Sequence, residues 1–152
     1  MILRRQAGFT LVELILVIVV MGLLAAVALP RMTNRQSQDE MTTRDELKAT
    51  LRLARQVASA QNQTVCFMRT AVQFQLVYAT AVGACNLGGT PVWEPGSGQP
   101  KVVDIAPNVV LSGANTIVFN ARGQLVPATA NATIAVGSTQ PLTVNRETGF
   151  VN

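Results

Sequence analysis

Between Phe9 and Leu29 the chain runs through 21 residues, FTLVELILVIVVMGLLAAVAL, in which Glu13 is the sole ionisable side chain. At about 1.5 Å per residue, a helix of that length reaches about 32 Å and can cross a bilayer once. Arg4 and Arg5 precede it, so the positive-inside rule keeps the short leader cytoplasmic and sends the rest of the chain outward. Arg31 and Arg35 on the far side oppose that bias in part. A carboxylate in hydrocarbon costs a few kcal/mol or more and calls for a named partner. Glu13 is therefore the residue that any reading of this segment has to explain.

Three readings compete. A secretory signal peptide could be cut after the small-x-small pattern Ala26-Val27-Ala28. Its apolar region would be long, however, and would hold an acid. A plain uncleaved anchor leaves Glu13 without a purpose. The third reading has a protease cut between Gly8 and Phe9. The α-amino group freed on Phe9 then lies about one turn from Glu13, and in a bundle of such helices the amine of one copy meets the carboxylate of another.

The run Gly8-Phe9-Thr10-Leu11-Val12-Glu13-Leu14, behind a short basic leader, resembles the class III signal of type IV pilins and type II secretion pseudopilins. The resemblance implies that prepilin peptidase removes Met1 to Gly8, that Phe9 becomes the N-terminal residue and is N-methylated, and that Glu13 is the assembly acid. It divides the chain into a leader (1–8), a transmembrane and assembly helix (9–30) and a periplasmic globular domain (31–152). Pro30 removes a backbone donor, and because the helical pattern resumes beyond it the expectation is a kinked continuation.

The remainder is ordinary in composition. Charged residues make up 13% of the chain and the formal charge is +4. Without Arg4 and Arg5, ten basic and eight acidic residues leave +2, too weak a field to argue for nucleic acid by itself. Histidine is absent, which excludes Ser-His-Asp and Cys-His catalysis and imidazole zinc sites. Asp104, Glu94 and Glu147 are scattered singly, and there is no phosphate-binding loop. No catalytic residue, metal or cofactor is expected. Cys66 and Cys85 read most simply as one disulfide closing a loop of about 20 residues, worth roughly 3 kcal/mol, with two buried free thiols as the alternative.

From Arg31 to Gln61 no glycine or further proline interrupts a helical pattern in which Leu47, Leu51, Ala54 and Ala58 share one face. Asp39 and Glu40, upstream of Arg44 and Lys48, suggest ion pairs one turn apart. Arg44, Lys48, Arg52 and Arg55 form a basic stripe, read either as a contact for DNA or an acidic fibre neighbour, or as a solvated flank whose stems cover apolar surface. After Asn62 the pattern turns to strands: Thr64 to Met68, Gln73 to Tyr78, Lys101 to Ile105, Val109 to Leu111, Thr116 to Asn120, Gln124 to Pro127, Thr133 to Val136, Leu142 to Asn145 and Phe150 to Val151. Gly83 to Lys101 reads as a long loop, with Trp93 read either as an anchor for a partner or, the favoured reading, as a plug on the edge of the core. Tight turns are expected at Asn120–Gly123 and Arg146–Gly149. The fold class is α+β, a long N-terminal helix with a membrane half and an amphipathic half packed on antiparallel sheet.

Three stretches narrow the resemblance. Val118-Phe119-Asn120-Ala121-Arg122-Gly123 with Arg146-Glu147-Thr148-Gly149-Phe150-Val151, and the helical segment Leu53 to Ala58, are similar to the GspH/FimT-like minor pilins and pseudopilins. The resemblance implies a structural subunit at or near the tip of a type IV pilus or secretion pseudopilus. It would help initiate assembly, with other pilin subunits, prepilin peptidase and an inner-membrane assembly platform as partners. Some tip-most members of the superfamily lack the assembly acid; this chain keeps Glu13 and need not be outermost. A tip DNA receptor is the alternative, for which the C-terminal region offers Arg122 and Arg146, the second beside Glu147.

Overall fold

The structure, a computed structural model, describes residues 10–32, 35–80, 84–127 and 129–152, with the side chains of the first helix described as far as Ala25. The chain divides into two compact units, Met1–Arg35 and Gln36–Asn152. In the first, helix α1 covers Leu11–Met32. It continues through Pro30 for two residues; the expected bend there and the continuation beyond it involve residues 33–34, which lie outside the described residues. Among the described residues no helix is long and apolar enough to cross a membrane. The stretch from Ala26 to Leu29, which completes the 21-residue run, lies outside the described side chains of α1.

Helix α2 covers Arg35–Gln61. Its apolar face is the one the periodicity picks out: Leu47, Leu51, Ala54 and Ala58 are completely buried. Asn62, in the left-handed region at φ 52°, ends the helix, and the Gln63 amide returns to the Ala58 carbonyl at 3.1 Å. That six-to-one bond satisfies a carbonyl the helix would otherwise leave orphaned.

Seven strands follow: β1 Val65–Arg69, β2 Gln73–Tyr78, β3 Val102–Asp104, β4 Leu111–Gly113, β5 Thr116–Phe119, β6 Ala132–Val136 and β7 Leu142–Val144. They form two antiparallel sheets, ordered β3-β2-β1-β5 and β4-β6-β7. The hairpin register Val65↔Tyr78 through Arg69↔Phe74 sends Val65, Phe67, Phe74 and Leu76 inward, where they meet the buried face of α2. Phe67 and Phe74 lie with ring centroids 5.8 Å apart. Ile134, Val136, Leu142 and Val144 of the second sheet complete the same core. Because side chains alternate along a strand, Cys66, Val77 and Val118 point to the opposite face and build a smaller second cluster. Arg69 joins the sheets, donating from Nη1 to the Leu111 carbonyl at 2.7 Å and from Nη2 to the Gly113 carbonyl at 3.2 Å and to Asn115.

Three expected strands are corrected. Val109–Leu111 gives way to Leu111–Gly113, because the Val109 amide turns back onto the Ala106 carbonyl at 2.9 Å and Val109 enters the core. Gln124–Pro127 is reduced to a bridge at Leu125, since Pro127 has no amide with which to extend the ladder. Phe150–Val151 is likewise a single bridge, Val144↔Val151.

The expected ion pair between Glu40 and Arg44 does not form. Glu40 is 5% exposed and accepts hydrogen bonds from the Ser138 amide at 3.1 Å, the Ser138 hydroxyl at 2.8 Å and Gln36 Nε2 at 3.3 Å. Arg44 instead donates to the Gln140 carbonyl at 3.0 Å and lies 3.9 Å from Asp45. Side chain–backbone bonding to a distant turn has displaced the local pair, whose worth on a helix surface is only about 0.3–0.5 kcal/mol. The two Ser138 donors hold the Glu40 carboxyl below its ordinary range. A depressed folded value stabilises above the unfolded value of about 4.3 and is lost as pH falls through the folded one. Thermal midpoints should therefore fall between about pH 5 and pH 3. Glu40→Gln should be the less stable chain at neutral pH, and the gap should close at the acid end.

Candidate assembly site

The first turn of α1 is built by two side chains. Thr10, just outside the helix, accepts the Glu13 amide on its hydroxyl at 3.3 Å, while Glu13 Oε2 accepts the Thr10 amide at 3.1 Å and the Thr10 hydroxyl at 3.0 Å. This reciprocal arrangement is a capping box; the Leu14 amide then bonds the Thr10 carbonyl at 3.2 Å and opens the helical ladder. Such a cap is worth about 1 kcal/mol, and an acid in the first turn also complements the helix dipole. The part played by Thr10 escaped the sequence reading, although Thr-x-x-Glu ahead of an apolar run is its signature.

Beyond the cap, the described side chains of α1, as far as Ala25, are all apolar. Leu11, Leu14, Val17, Ile18 and Leu24 are all exposed, from 45% at Val17 to 74% at Leu11. Gly22 has nothing within 4 Å of the place a Cβ would take. A continuous apolar helix of this kind needs a lipid or protein covering. The cleavage and methylation position at Gly8 and Phe9 lies outside the described residues.

In the second unit Cys66 and Cys85 form a disulfide with Cα atoms 5.9 Å apart, across 19 residues. It pins the start of the loop to the outer face of the first sheet. Further ties follow: the Tyr78 amide to the Thr90 carbonyl at 2.8 Å, the Val92 amide to the Leu76 carbonyl at 2.9 Å, and Lys101 Nζ to Glu94 at 2.7 Å. Lys101 holds the Glu94 carboxyl below its ordinary range. This loop carries a correction, because Trp93 is 55% exposed and is not a plug. Val92 takes the inward position, and alternation turns its neighbour Trp93 out. The sole tryptophan should accordingly show solvated, red-shifted emission that acrylamide quenches readily; a blue-shifted, protected spectrum would contradict that placement.

The basic stripe of α2 packs along the C-terminal turns. Arg52 Nη2 donates to the Val151 carbonyl at 3.3 Å, and the stem of Arg55 lies against Gly123 and Gly149. The long stems thus cover the domain, as the flank reading expects. Among the described residues no group of three or more His, Cys, Asp or Glu is placed to hold a metal.

An apolar helix headed by an acid-bearing cap in one unit, and in the other an amphipathic helix packed on antiparallel sheet, define a pilin-class protein. Residues 43–148 match the family model described as type II transport protein GspH, and residues 3–29 match the prokaryotic N-terminal methylation motif. The chain belongs to the GspH family, within the pilin and pseudopilin superfamily. Members are membrane-anchored structural subunits, not enzymes, that assemble with one another into fibres.

Among curated relatives, the type II secretion system core protein G of Pseudomonas aeruginosa is 40% identical over 47 residues, 30% of this chain and 33% of that protein. The type IV narrow pilus major component PilA5 of Thermus thermophilus is 40% identical over 57 residues, 38% of this chain and 49% of its own length. The chain thus spans half or less of these relatives. Two crystal structures of the type IV minor pilin FimU of Pseudomonas aeruginosa share the fold, each with a TM-score of 0.54. They are 17% and 18% identical, covering 74% and 80% of this chain and 90% and 89% of theirs. The DNA-receptor alternative is not supported: these matches are pilus and secretion subunits, and Arg146 is tied to Glu147 at 3.3 Å.

Proposed function

We propose that the chain is a minor structural subunit of a type IV pilus or a type II secretion pseudopilus, placed at or near the tip and helping to initiate the fibre. Before assembly α1 lies in the inner membrane with the globular unit in the periplasm. Prepilin peptidase cuts between Gly8 and Phe9, Phe9 is N-methylated, and a platform in the inner membrane feeds the subunit into the fibre. There, α1 exchanges lipid for neighbouring helices, and Glu13 meets the Phe9 amine of another subunit.

The observation that carries this reading is a helix whose described side chains from Leu14 to Ala25 are apolar and exposed, with its sole described carboxylate on the first turn, inside the segment that matches the methylation motif. Lipid could cover the apolar surface alone, but lipid gives Glu13 no cation. The Thr10 cap satisfies one carboxylate oxygen and leaves the charge uncompensated. An intact mass and N-terminal fragment spectrum of the protein from its native membrane tests the proposal. A chain that begins at Phe9, with or without a methyl group, agrees with it; a chain that begins at Leu29 overturns it.

A further inference from the structure

Arg69 closes β1 with a charge that no carboxylate of the domain answers. It stands opposite Phe74 in the hairpin, and direct cross-strand partners share a face, so its stem runs to the core side. Asp104 pairs with Gln73 one position away and is turned to the other face, while Asp39 meets the neighbouring loop at Asn108, to which it is hydrogen-bonded at 2.8 Å. Among the described residues Arg69 takes part in no ion pair. Its three acceptors are the Leu111 and Gly113 carbonyls and the Asn115 side chain, all of them neutral. Burial pushes the guanidinium below its ordinary range, the mark of a cation short of hydration.

The donors of this guanidinium are unevenly used. Nε–H shares a fork with one of the Nη2 hydrogens, and the fork matches the two oxygens of a carboxylate. Nη2 bonds both Gly113 and Asn115, whereas Nε is buried with no acceptor. One tine of the fork is filled and the other is empty. An orphaned buried donor is rare enough in a folded protein to require an explanation. Of the two acceptors on Nη2, Gly113 is backbone fixed in β4, and Asn115 is an exposed side chain.

The same guanidinium lines a cleft of about 500 Å³ whose other walls include Ala71, Pro107, Val109 and Val110. Small-molecule sites fall in the range of about 300–1,000 Å³, with apolar walls and a few fixed polar groups. A peptide strand would need a free backbone edge. Here the backbone is committed: the Arg69 amide bonds the Asn115 carbonyl at 2.8 Å, the Ala114 amide bonds the Thr133 carbonyl at 2.9 Å, and the Leu111 and Gly113 carbonyls hold Arg69 itself.

We propose that this cleft binds a small monocarboxylate with an apolar body: the carboxylate displaces the Asn115 side chain from Nη2 and takes the Nε–Nη2 fork of Arg69, and the apolar body lies against Pro107 and Val110. The site belongs to the second unit and does not depend on Glu13 or on leader processing.

Phenylacetate is the probe, added to the full chain in a non-ionic detergent at about pH 6.5, where a carboxylate of ordinary pKa is ionised. The readouts are the Arg69 Nε–H and Val110 amide resonances; Arg69→Lys assigns the first and, because an ammonium has no fork, should abolish the shift of the second. Phenylacetate should shift both saturably, at concentrations about tenfold below those needed with acetate, which lacks the apolar body, or phenylacetamide, which lacks the charge. Val110→Asp alters a side chain that is 72% exposed and should weaken binding by about tenfold through like-charge repulsion, with an unchanged thermal midpoint to establish folding. Asn115→Ala should bind at least as tightly as wild type, because the ligand displaces that side chain. The proposal is overturned if phenylacetate gives no saturable shift, if acetate or phenylacetamide binds as well, if Val110→Asp binds as wild type does, or if Asn115→Ala binds more weakly. Binding of acetyl-Ala-Ala-Val, a peptide with the same terminal chemistry, more tightly than phenylacetate overturns it as well, in favour of a polypeptide partner.

Discussion

Glu13→Ala should leave cleavage after Gly8 intact and reduce incorporation into fibres by about a hundredfold, read as the ratio of fibre-bound to membrane-bound subunit. The size follows from the cost of leaving one member of a buried ion pair unpaired, about 3 kcal/mol. Alanine, however, also removes the two bonds that the Glu13 carboxylate accepts from Thr10, so it does not separate the two roles of this side chain. Glu13→Gln does, because glutamine can serve the third position of a capping box without carrying charge. Pairing with an amine predicts that Gln fails nearly as badly as Ala, whereas a role confined to capping predicts that Gln behaves as wild type. Thr10→Ala is the converse probe: it keeps the charge, loses about 1 kcal/mol of cap and should lower incorporation only modestly.

The same first turn illustrates what is legible in this chain. An acid in an apolar run is conspicuous in sequence because solvation alone makes it costly, and that argument needs no coordinates. Thr10 is legible in principle, since the capping box is a local pattern four residues long. Likewise the buried face of α2 follows from period alone, and Leu47, Leu51, Ala54 and Ala58 are where the pattern puts them. The failures are of another kind. Glu40 looks like half of a surface ion pair until Ser138, 98 residues away, supplies two donors. Trp93 looks like a plug because tryptophan is large and apolar; whether it turns in depends on Val92 pairing with Leu76, which fixes the alternation. Likewise Gln124–Pro127 has strand composition, but its ladder stops at a proline whose consequence depends on the partner strand. Contacts made across long sequence separations decide each of these, and no local period encodes them.

The arginines of α2 belong to both kinds. Their common flank is readable from spacing, and so is the alternative that their stems cover the domain. What spacing does not reveal is the pair of glycine turns beneath Arg55, and these make the second large prediction. Gly149→Ala should lower stability by about 3 kcal/mol and the thermal midpoint by about 10 °C. Gly149 sits at φ 63°, where a side chain is strained, and its amide closes the turn onto the Asn145 carbonyl at 2.8 Å. A Cβ there would be driven into the Gly123 carbonyl oxygen and brought to 3.3 Å from Arg55 Cδ. Gly123, at φ 75°, is itself packed against the same stem, so neither turn can retreat without moving Arg55. Gly96→Ala is the matched control, because Gly96 has φ 85° and open space around the missing Cβ. It should cost only the left-handed strain, about 1 kcal/mol. Equal losses in the two variants would mean that the stacked turns contribute nothing beyond backbone conformation.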